Sequence, residues 1–259
     1  MTNEDEIIVC GFHIRKFQPL TEIPERHEVR STPPMSPVTI DGNNKDTVHQ
    51  IRHPLLAGAS PTLMKLLWDI LVYPFSSVSV RIKRLGISAR SFEGAKHEGC
   101  EKGLFFESSA GATTYLIPNP IAFEAFGMPC PYKRDVSVEH SYYVQWSRFL
   151  LSKDPTYKSV LTEVKCGSSS STSDVITVAH DGTRTAFEVT LNTTNILANA
   201  SKYDNTDFAR IVFLCRDYKL REAVKACCRE GGLNPDLLAK LEYMQFSTLL
   251  RRQRKLSLY

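Results

Sequence analysis

The hydrophobic positions change their spacing along the chain, and each change predicts a different kind of structure. Residues 1–56 show little periodicity and contain six prolines, so we predict an extended arm with one short strand at 7–14. In residues 57–127 the apolar positions first recur at helical spacing and then form two short runs around a small turn. Residues 128–250 mix helical and strand-like segments, and a basic tail follows at 251–259. The pattern therefore predicts an arm, two folded domains and a tail.

Three helices followed by a β-hairpin are predicted for the first folded domain. Ser88 is a suitable N-cap for the third helix, and Gly86 and Gly103 are suitable C-terminal residues for the second and third helices. The letters LGIS, SF, AK and KGLF, spread over 85–105, resemble the second-to-third-helix region and wing entry of winged helix domains. The helices are expected at 61–73, 76–86 and 89–103, and the strands at 104–109 and 113–118.

This resemblance implies DNA binding, because a winged helix domain lays its third helix in the major groove while flanking residues contact phosphates. Glu93, Glu98 and Glu101 on that helix weaken the attraction for phosphate, so packing against another domain or protein stays an alternative. The expected DNA contacts in this domain are the basic residues Arg81, Lys83, Arg84, Arg90 and Lys96.

The second folded domain is predicted to be an α/β unit with the element order α-β-β-β-α-β-α. One further amphipathic helix is expected at its C-terminal end, so that the chain as a whole is α+β. The helices are expected at 136–151, 192–203, 217–231 and 234–250, and the strands at 157–164, 173–178, 183–191 and 209–215.

Asp174 and Glu188 are the two residues of this domain that suggest chemistry. Each lies in an otherwise apolar strand, and the turn Asp181-Gly182 between them predicts a hairpin that brings the two carboxylates together. A carboxylate inside the apolar run AFEVTL needs a metal ion, a cation or a proton, because burying it alone costs several kcal/mol. Together with the element order, Asp174 and the letters EVT at 188–190 resemble the restriction-endonuclease-like fold known as PD-(D/E)XK.

The resemblance implies a nuclease that holds Mg²⁺ or Mn²⁺ between Asp174 and Glu188 and hydrolyses DNA phosphodiester bonds. Glu139 lies where many members carry a further carboxylate on the metal side. Members usually carry a lysine where this chain has Thr190, and Lys202 from the following helix is the candidate to replace it as the charge that stabilises the transition state. The catalytic candidates are therefore Asp174, Glu188, Lys202 and Glu139.

Structural roles stay open for the same residues. Asp174 follows a Ser-rich loop, where a turn or capping residue is common. Glu188 is also consistent with an ion pair to Lys202 or Arg184. His140 is interpreted as a surface or helix-packing residue and not as a ligand. Because the usual lysine is missing, the alternative function is a nuclease fold without activity that binds DNA or docks a regulatory partner.

Charge and cysteine content add two constraints. The net charge is +4, and residues 248–259 carry four basic and no acidic side chains, so Arg251, Arg252 and Arg254 are further candidates for DNA contact. Seven cysteines without a CxxC pair indicate reduced thiols, and no apolar run predicts a signal peptide or a membrane span. We therefore expect a cytoplasmic protein.

A wider resemblance concerns the segments GTRTAFEVTL, NILANASK and IVFLCRD between 182 and 217. They are similar to the C-terminal regions of some HerA/FtsK-type DNA-translocating ATPases and of mobile-element proteins. The chain has no GxxxxGK[ST] motif for nucleotide phosphates, so no ATPase site of that type is expected, and the chain is either a stand-alone protein of a mobile element or a fragment of something larger. Interaction with an ATPase as a partner is a further hypothesis. The resemblance also implies a mobile-element, defence or DNA-processing context. A homodimer is a further expectation, since restriction-like nucleases often cut as dimers.

Overall fold

A computed structural model describes residues 6–9, 12–15, 53–166 and 171–256, with side chains described within 53–166 and 171–252. Two short strands, β1 (Glu6–Val9) and β2 (Phe12–Arg15), pair antiparallel where the sequence predicts a single strand. The rest of the predicted arm, up to residue 52, lies outside the described residues, as do positions 167–170 of the Ser-rich loop. Within the described part of the chain, no helix has the length and apolar character needed to cross a membrane.

The first folded unit forms the predicted helices and hairpin, followed by a short helix that the sequence pattern does not predict. Its elements are α1 (Pro61–Val72), α2 (Val78–Leu85), α3 (Ala89–Glu101), β3 (Phe105–Ala110), β4 (Thr113–Pro118) and α4 (Pro120–Ala125). The hydroxyl of Ser60 caps α1, and that of Ser88 caps α3. Gly86 ends α2 in the left-handed region at φ 62°, where a side chain would be strained. The apolar faces of these elements share one core.

Gly99 lies where α3 packs against the hairpin. A Cβ at this position would lie 2.3 Å from Phe105 Cζ and 2.9 Å from Leu63 Cδ1, and Phe105 has no room to move because it is 1% exposed. We expect Gly99→Ala to lower the free energy of unfolding by about 1–3 kcal/mol through overpacking.

Gly94 in the same helix provides the control. A Cβ there meets nothing within 4 Å, so Gly94→Ala should raise the free energy of unfolding by up to about 1 kcal/mol through helix propensity. Urea unfolding followed by circular dichroism measures both variants. Equal effects of the two substitutions would contradict the packing described for Gly99.

The second folded unit is a five-stranded mixed sheet with helices on both faces, which confirms the predicted mixed α/β class. Its elements are α5 (Val138–Leu151), β5 (Tyr157–Lys165), β6 (Thr172–Ala179), β7 (Arg184–Thr190), α6 (Ile196–Ser201), β8 (Arg210–Cys215), α7 (Tyr218–Glu230), α8 (Pro235–Lys240), β9 (Leu241–Gln245) and α9 (Phe246–Leu256). The strands lie in the order β5-β6-β7-β8-β9. The first two pairings are antiparallel and the last two are parallel.

Two predicted helices differ from those observed. The segment predicted as one helix at 234–250 forms α8, β9 and the start of α9, and β9 pairs with β8. The spacing of its apolar residues indicates a helix. However, the open edge of β8 gains hydrogen-bond partners only if residues 241–245 are extended. α9 then continues through the predicted tail to Leu256. The helix predicted at 192–203 is shortened to Ile196–Ser201, because Asn195 adopts φ 61° before it.

The two faces of the sheet pack against different helices. α5 and α9 cover one face, where Trp146 and Phe246 are buried. α6, α7 and α8 cover the other face, around Tyr203 and Phe213. The hairpin of β3 and β4 joins the α5 side, since the ring of Tyr115 packs edge-on against Trp146 with centroids 4.4 Å apart. The predicted wing is therefore covered by the second unit on one side.

Candidate functional site

Strands β6 and β7 separate at the level of Asp174. Their ladder ends with Val175 opposite Phe187, and each strand then continues beside its other neighbour. Beyond the last ladder pair, the backbone N–H of Val189 donates to Asp174 Oδ2 at 2.8 Å. Continuing the register places Glu188 across from Asp174. The two predicted carboxylates thus lie together where the strands separate.

Glu188 is enclosed within the second unit, with 3% of the residue exposed. Lys202 Nζ donates to Oε2 at 2.8 Å, and the hydroxyl of Tyr203 donates to Oε1. Lys202 Nζ also donates to the carbonyl of Thr172 at 2.7 Å, which fixes the ammonium group. Burial raises the pKa of Glu188 to about 7; the charge of Asp174 adds to this increase and Lys202 opposes it. Each oxygen of this carboxylate therefore has a protein partner.

Asp174 is more open than Glu188 and contacts α5. Its side chain is 21% exposed, and Oδ2 lies 3.2 Å from Nε2 of His140, in the first turn of that helix. Burial lowers the pKa of His140, but the hydrogen bond to Asp174 and the charges of both carboxylates outweigh it, so the pKa is raised above its ordinary value. His140, interpreted from the sequence as a surface or packing residue, therefore faces the acidic pair and ties α5 to it.

Glu139 does not join the acidic pair, although it precedes His140 in the sequence. Its Oε1 accepts a bond from the Ser108 hydroxyl at 2.6 Å and lies 3.4 Å from Nη1 of Arg216. Successive side chains of a helix point about 100° apart, so the two neighbours on α5 face different surroundings. Glu139 connects α5 to the hairpin and to the end of β8. The structure therefore corrects the expectation that Glu139 lies on the metal side of Asp174 and Glu188.

The acidic pair as arranged does not fit a divalent cation. Mg²⁺ needs several accessible oxygen ligands and keeps bound waters, whereas both oxygens of Glu188 accept bonds from Lys202 and Tyr203. Thr190 brings no charge, and its hydroxyl donates to the backbone carbonyl of Glu188 at 3.2 Å. Within 53–166 and 171–252, no three His, Cys, Asp or Glu side chains form a group that could hold a metal ion. Lys202 lies 2.8 Å from Glu188, where the resemblance implies a metal ion as the positive charge beside this carboxylate.

Three of the basic residues predicted to contact DNA make ion pairs within the first folded unit. Arg81 is 0% exposed; Nη1 donates to Asp69 Oδ2 at 2.6 Å and to the Asp69 carbonyl, and Nε and Nη2 bond backbone carbonyls of the loop after α1. Arg84 Nε lies 2.5 Å from Asp69 Oδ1. Lys96 Nζ lies within 2.9 Å of two glutamate side chains. The structure corrects the expectation for Arg81, because its charge does not reach the surface.

The other predicted DNA contacts lie in two separate places. Lys83 and Arg90 are exposed on α2 and α3. Arg251 and Arg252 are exposed on α9, where Arg252 Nη2 lies 3.0 Å from Asp154. The backbone of residue 254 belongs to α9, and the side chain of Arg254 lies outside the described residues.

Asp69 and Tyr203 are two site residues that the sequence pattern does not predict. Asp69 is the single acidic residue in the apolar helical run 61–73, and a lone acid in such a run is a signal for a buried cationic partner. No comparable signal exists for Tyr203. Its hydroxyl reaches Glu188 only because the chain turns after α6, with Tyr203 N–H donating to the carbonyl of Ala200.

Comparison of the chain with protein-family models, with curated proteins and with solved structures gives no match in any of the three. The function is therefore inferred from the contacts and charges described above.

Proposed function

We propose that this chain is a DNA-binding protein whose acidic pair supports the fold and does not hold a metal for hydrolysis. The observation that carries the proposal is the enclosure of Glu188, with both oxygens bonded by Lys202 and Tyr203. To bind Mg²⁺ or Mn²⁺, this carboxylate would have to give up those bonds and open to solvent. The same bonds connect β7 to the turn after α6, and Lys202 extends the connection to β6 through Thr172.

Two features support DNA as the partner. Three helices precede a hairpin in the first unit, and the N-terminal half of α3 is exposed at Arg90, Ser91 and Gly94, with Lys83 exposed on α2. The net charge of +4 and the basic sequence of α9 supply positive charge for phosphate contact. A cytoplasmic location, an ATPase partner, a homodimer and a mobile-element or defence context belong to the same proposal.

Phosphodiester hydrolysis is the second candidate function, and one observation favours it. Lys202 lies against Glu188, as expected for a lysine that replaces the one missing at Thr190. This candidate requires Glu188 and Lys202 to separate when metal and DNA are present. The two candidates make opposite predictions for Mn²⁺.

We expect duplex DNA to bind and to remain uncut. In fluorescence anisotropy, the affinity for a labelled duplex should fall as salt rises, because phosphate contacts release counterions. Calorimetric titration with MnCl₂ should show no saturable binding, and gel assays with Mg²⁺ or Mn²⁺ should show no nicked or cut product. Cleavage that disappears in both Asp174→Ala and Lys202→Ala would establish the second candidate. Absent or salt-insensitive DNA binding would overturn both functions.

A further inference from the structure

The C-terminal end of α5 is held beside α9. Phe246 and Leu249 of α9 belong to the same buried core as Leu151 of α5. Beyond this core, Arg252 Nη2 lies 3.0 Å from the carboxylate of Asp154, whose side chain is 1% exposed. Apolar packing and an ion pair therefore fix α9 along α5 at least as far as Arg252.

Four basic side chains lie on the last turn of α5, in the turn after it or on α9, and we call them the C-terminal ridge. Lys153 Nζ lies 4.0 Å above a phenylalanine ring, and Arg251 donates to a threonine hydroxyl at 3.3 Å, so neither contact neutralises the charge. Asp154 is the single acidic residue in the sequence between 140 and 162, and none follows residue 242. The ridge consists of Arg148, Lys153, Arg251 and Arg252, all exposed.

In the first folded unit, exposed carboxylates accompany the open positive charge. Arg81, Arg84 and Lys96 are paired with carboxylates, whereas Lys83 and Arg90 are exposed. The third helix of this unit also exposes Glu93 and Glu101, which lowers the attraction for phosphate. On the ridge, by contrast, Asp154 pairs with one of four cations, and the other three have no carboxylate partner among the described residues.

From this difference we infer that the C-terminal ridge is the main phosphate-contacting surface for duplex DNA. The inference rests on the proposed DNA-binding function and adds Arg148 and Lys153, which the sequence does not single out. Exposed cations on α5, on α9 and in the turn after α5 contact phosphates without reading bases. Binding at the ridge is therefore independent of sequence and strongly dependent on salt. Arg252, held by Asp154, positions the helix that carries Arg251.

The triple variant Arg148→Ala/Lys153→Ala/Arg251→Ala of the full chain tests the inference. Arg252 is kept because Asp154 needs its partner in the fold. We expect the Kd for a labelled duplex to rise at least roughly tenfold at about 0.1 M salt. The slope of log affinity against log salt should become shallower by about 2.7, since each phosphate contact contributes about 0.9.

Two matched variants separate the ridge from net charge and from misfolding. Arg148→Lys/Arg251→Lys keeps the charges and should keep the salt slope, because a point charge suffices for counterion release. A second triple variant removes three exposed cations from α7, on the opposite face of the sheet, and should change the Kd by less than roughly twofold. It is Lys219→Ala/Lys225→Ala/Arg229→Ala.

The outcomes distinguish this inference from the function on which it rests. If the wild-type chain does not bind duplex DNA, the proposed function fails and the inference fails with it. If the wild type binds and the ridge variant binds equally well, the inference alone is overturned. Equal weakening by the ridge and α7 variants also overturns it, because the effect then follows net charge and not position. Circular dichroism of each variant shows that the fold is retained.

Discussion

Asp69→Ala is expected to lower the free energy of unfolding by about 3–5 kcal/mol, because it leaves the Arg81 guanidinium buried without a carboxylate partner. Asp69 is 4% exposed, and its two oxygens receive Arg81 at 2.6 Å and Arg84 at 2.5 Å. Burial lowers the pKa of Arg81 and Asp69 opposes this, but a guanidinium does not lose its proton in proteins. The cost therefore cannot be avoided by neutralisation.

Two further substitutions give a graded comparison for Asp69→Ala. Arg84→Ala should cost less, since the Arg84 side chain is 32% exposed and Arg81 keeps its partner. Glu93→Ala removes a surface ion pair to Lys96, in which the glutamate is 59% exposed, and should cost at most about 1 kcal/mol. Urea unfolding followed by circular dichroism measures all three. A similar cost for Asp69→Ala and Glu93→Ala would show that the buried ion pair does not stabilise the first unit.

Lys202→Met is expected to lower the free energy of unfolding by about 3–5 kcal/mol at about pH 8, because the buried Glu188 would lose its cation and would have to stay charged alone or take up a proton. The side chains of Lys202 and Glu188 are 10% and 4% exposed, so solvent cannot replace the lost interaction. The double variant Glu188→Gln/Lys202→Met removes the charge as well and should recover much of the loss. Lys133→Met is the control, because it breaks a half-exposed pair with Glu163 and should cost at most about 1 kcal/mol.

The pH dependence of stability provides a second measurement on Glu188. Its pKa is about 7 in the folded chain, against an ordinary value of 4.5. The folded state therefore binds the proton more tightly, and stability from this group is complete below about pH 4.5 and is lost as pH rises through about 7. The raised pKa of His140 acts in the same direction. Urea unfolding of Glu188→Gln should show a weaker decline over this window than the wild type. An identical decline would assign the effect to His140.

The regular elements could largely be predicted from the sequence because their signals are local. The helix predicted at 61–73 forms as Pro61–Val72, with Ser60 as its cap, and the strand predicted at 209–215 forms as Arg210–Cys215. The segment 234–250 could not be predicted because the spacing of its apolar residues indicates a helix, whereas part of it pairs as a strand. Whether it forms a helix or a strand depends on the open edge of β8, which lies outside that segment.

The candidate site could be predicted in part. An acid in each of two apolar strands, joined by a tight turn, places Asp174 near Glu188, and the resemblance to the restriction-endonuclease-like fold offers Lys202 from the following helix as a neighbour. The partners of each oxygen could not be predicted, since Tyr203 and His140 reach the carboxylates through the packing of α6 and α5. These contacts decide whether an acidic pair is open to a metal or enclosed.

The sequence by itself determined most helices and strands from residue 61 to 231, the acidic pair and the positive charge at the C-terminal end, because each depends on residues close together in the chain. Tertiary structure alone decided which charged side chains are exposed and able to contact a partner. Arg81 and Lys83 are two residues apart on one short helix, yet one is buried against Asp69 and the other is exposed. Burial and ion pairing depend on groups brought from elsewhere in the chain, and the energy of a charge depends on those surroundings more than on its own identity.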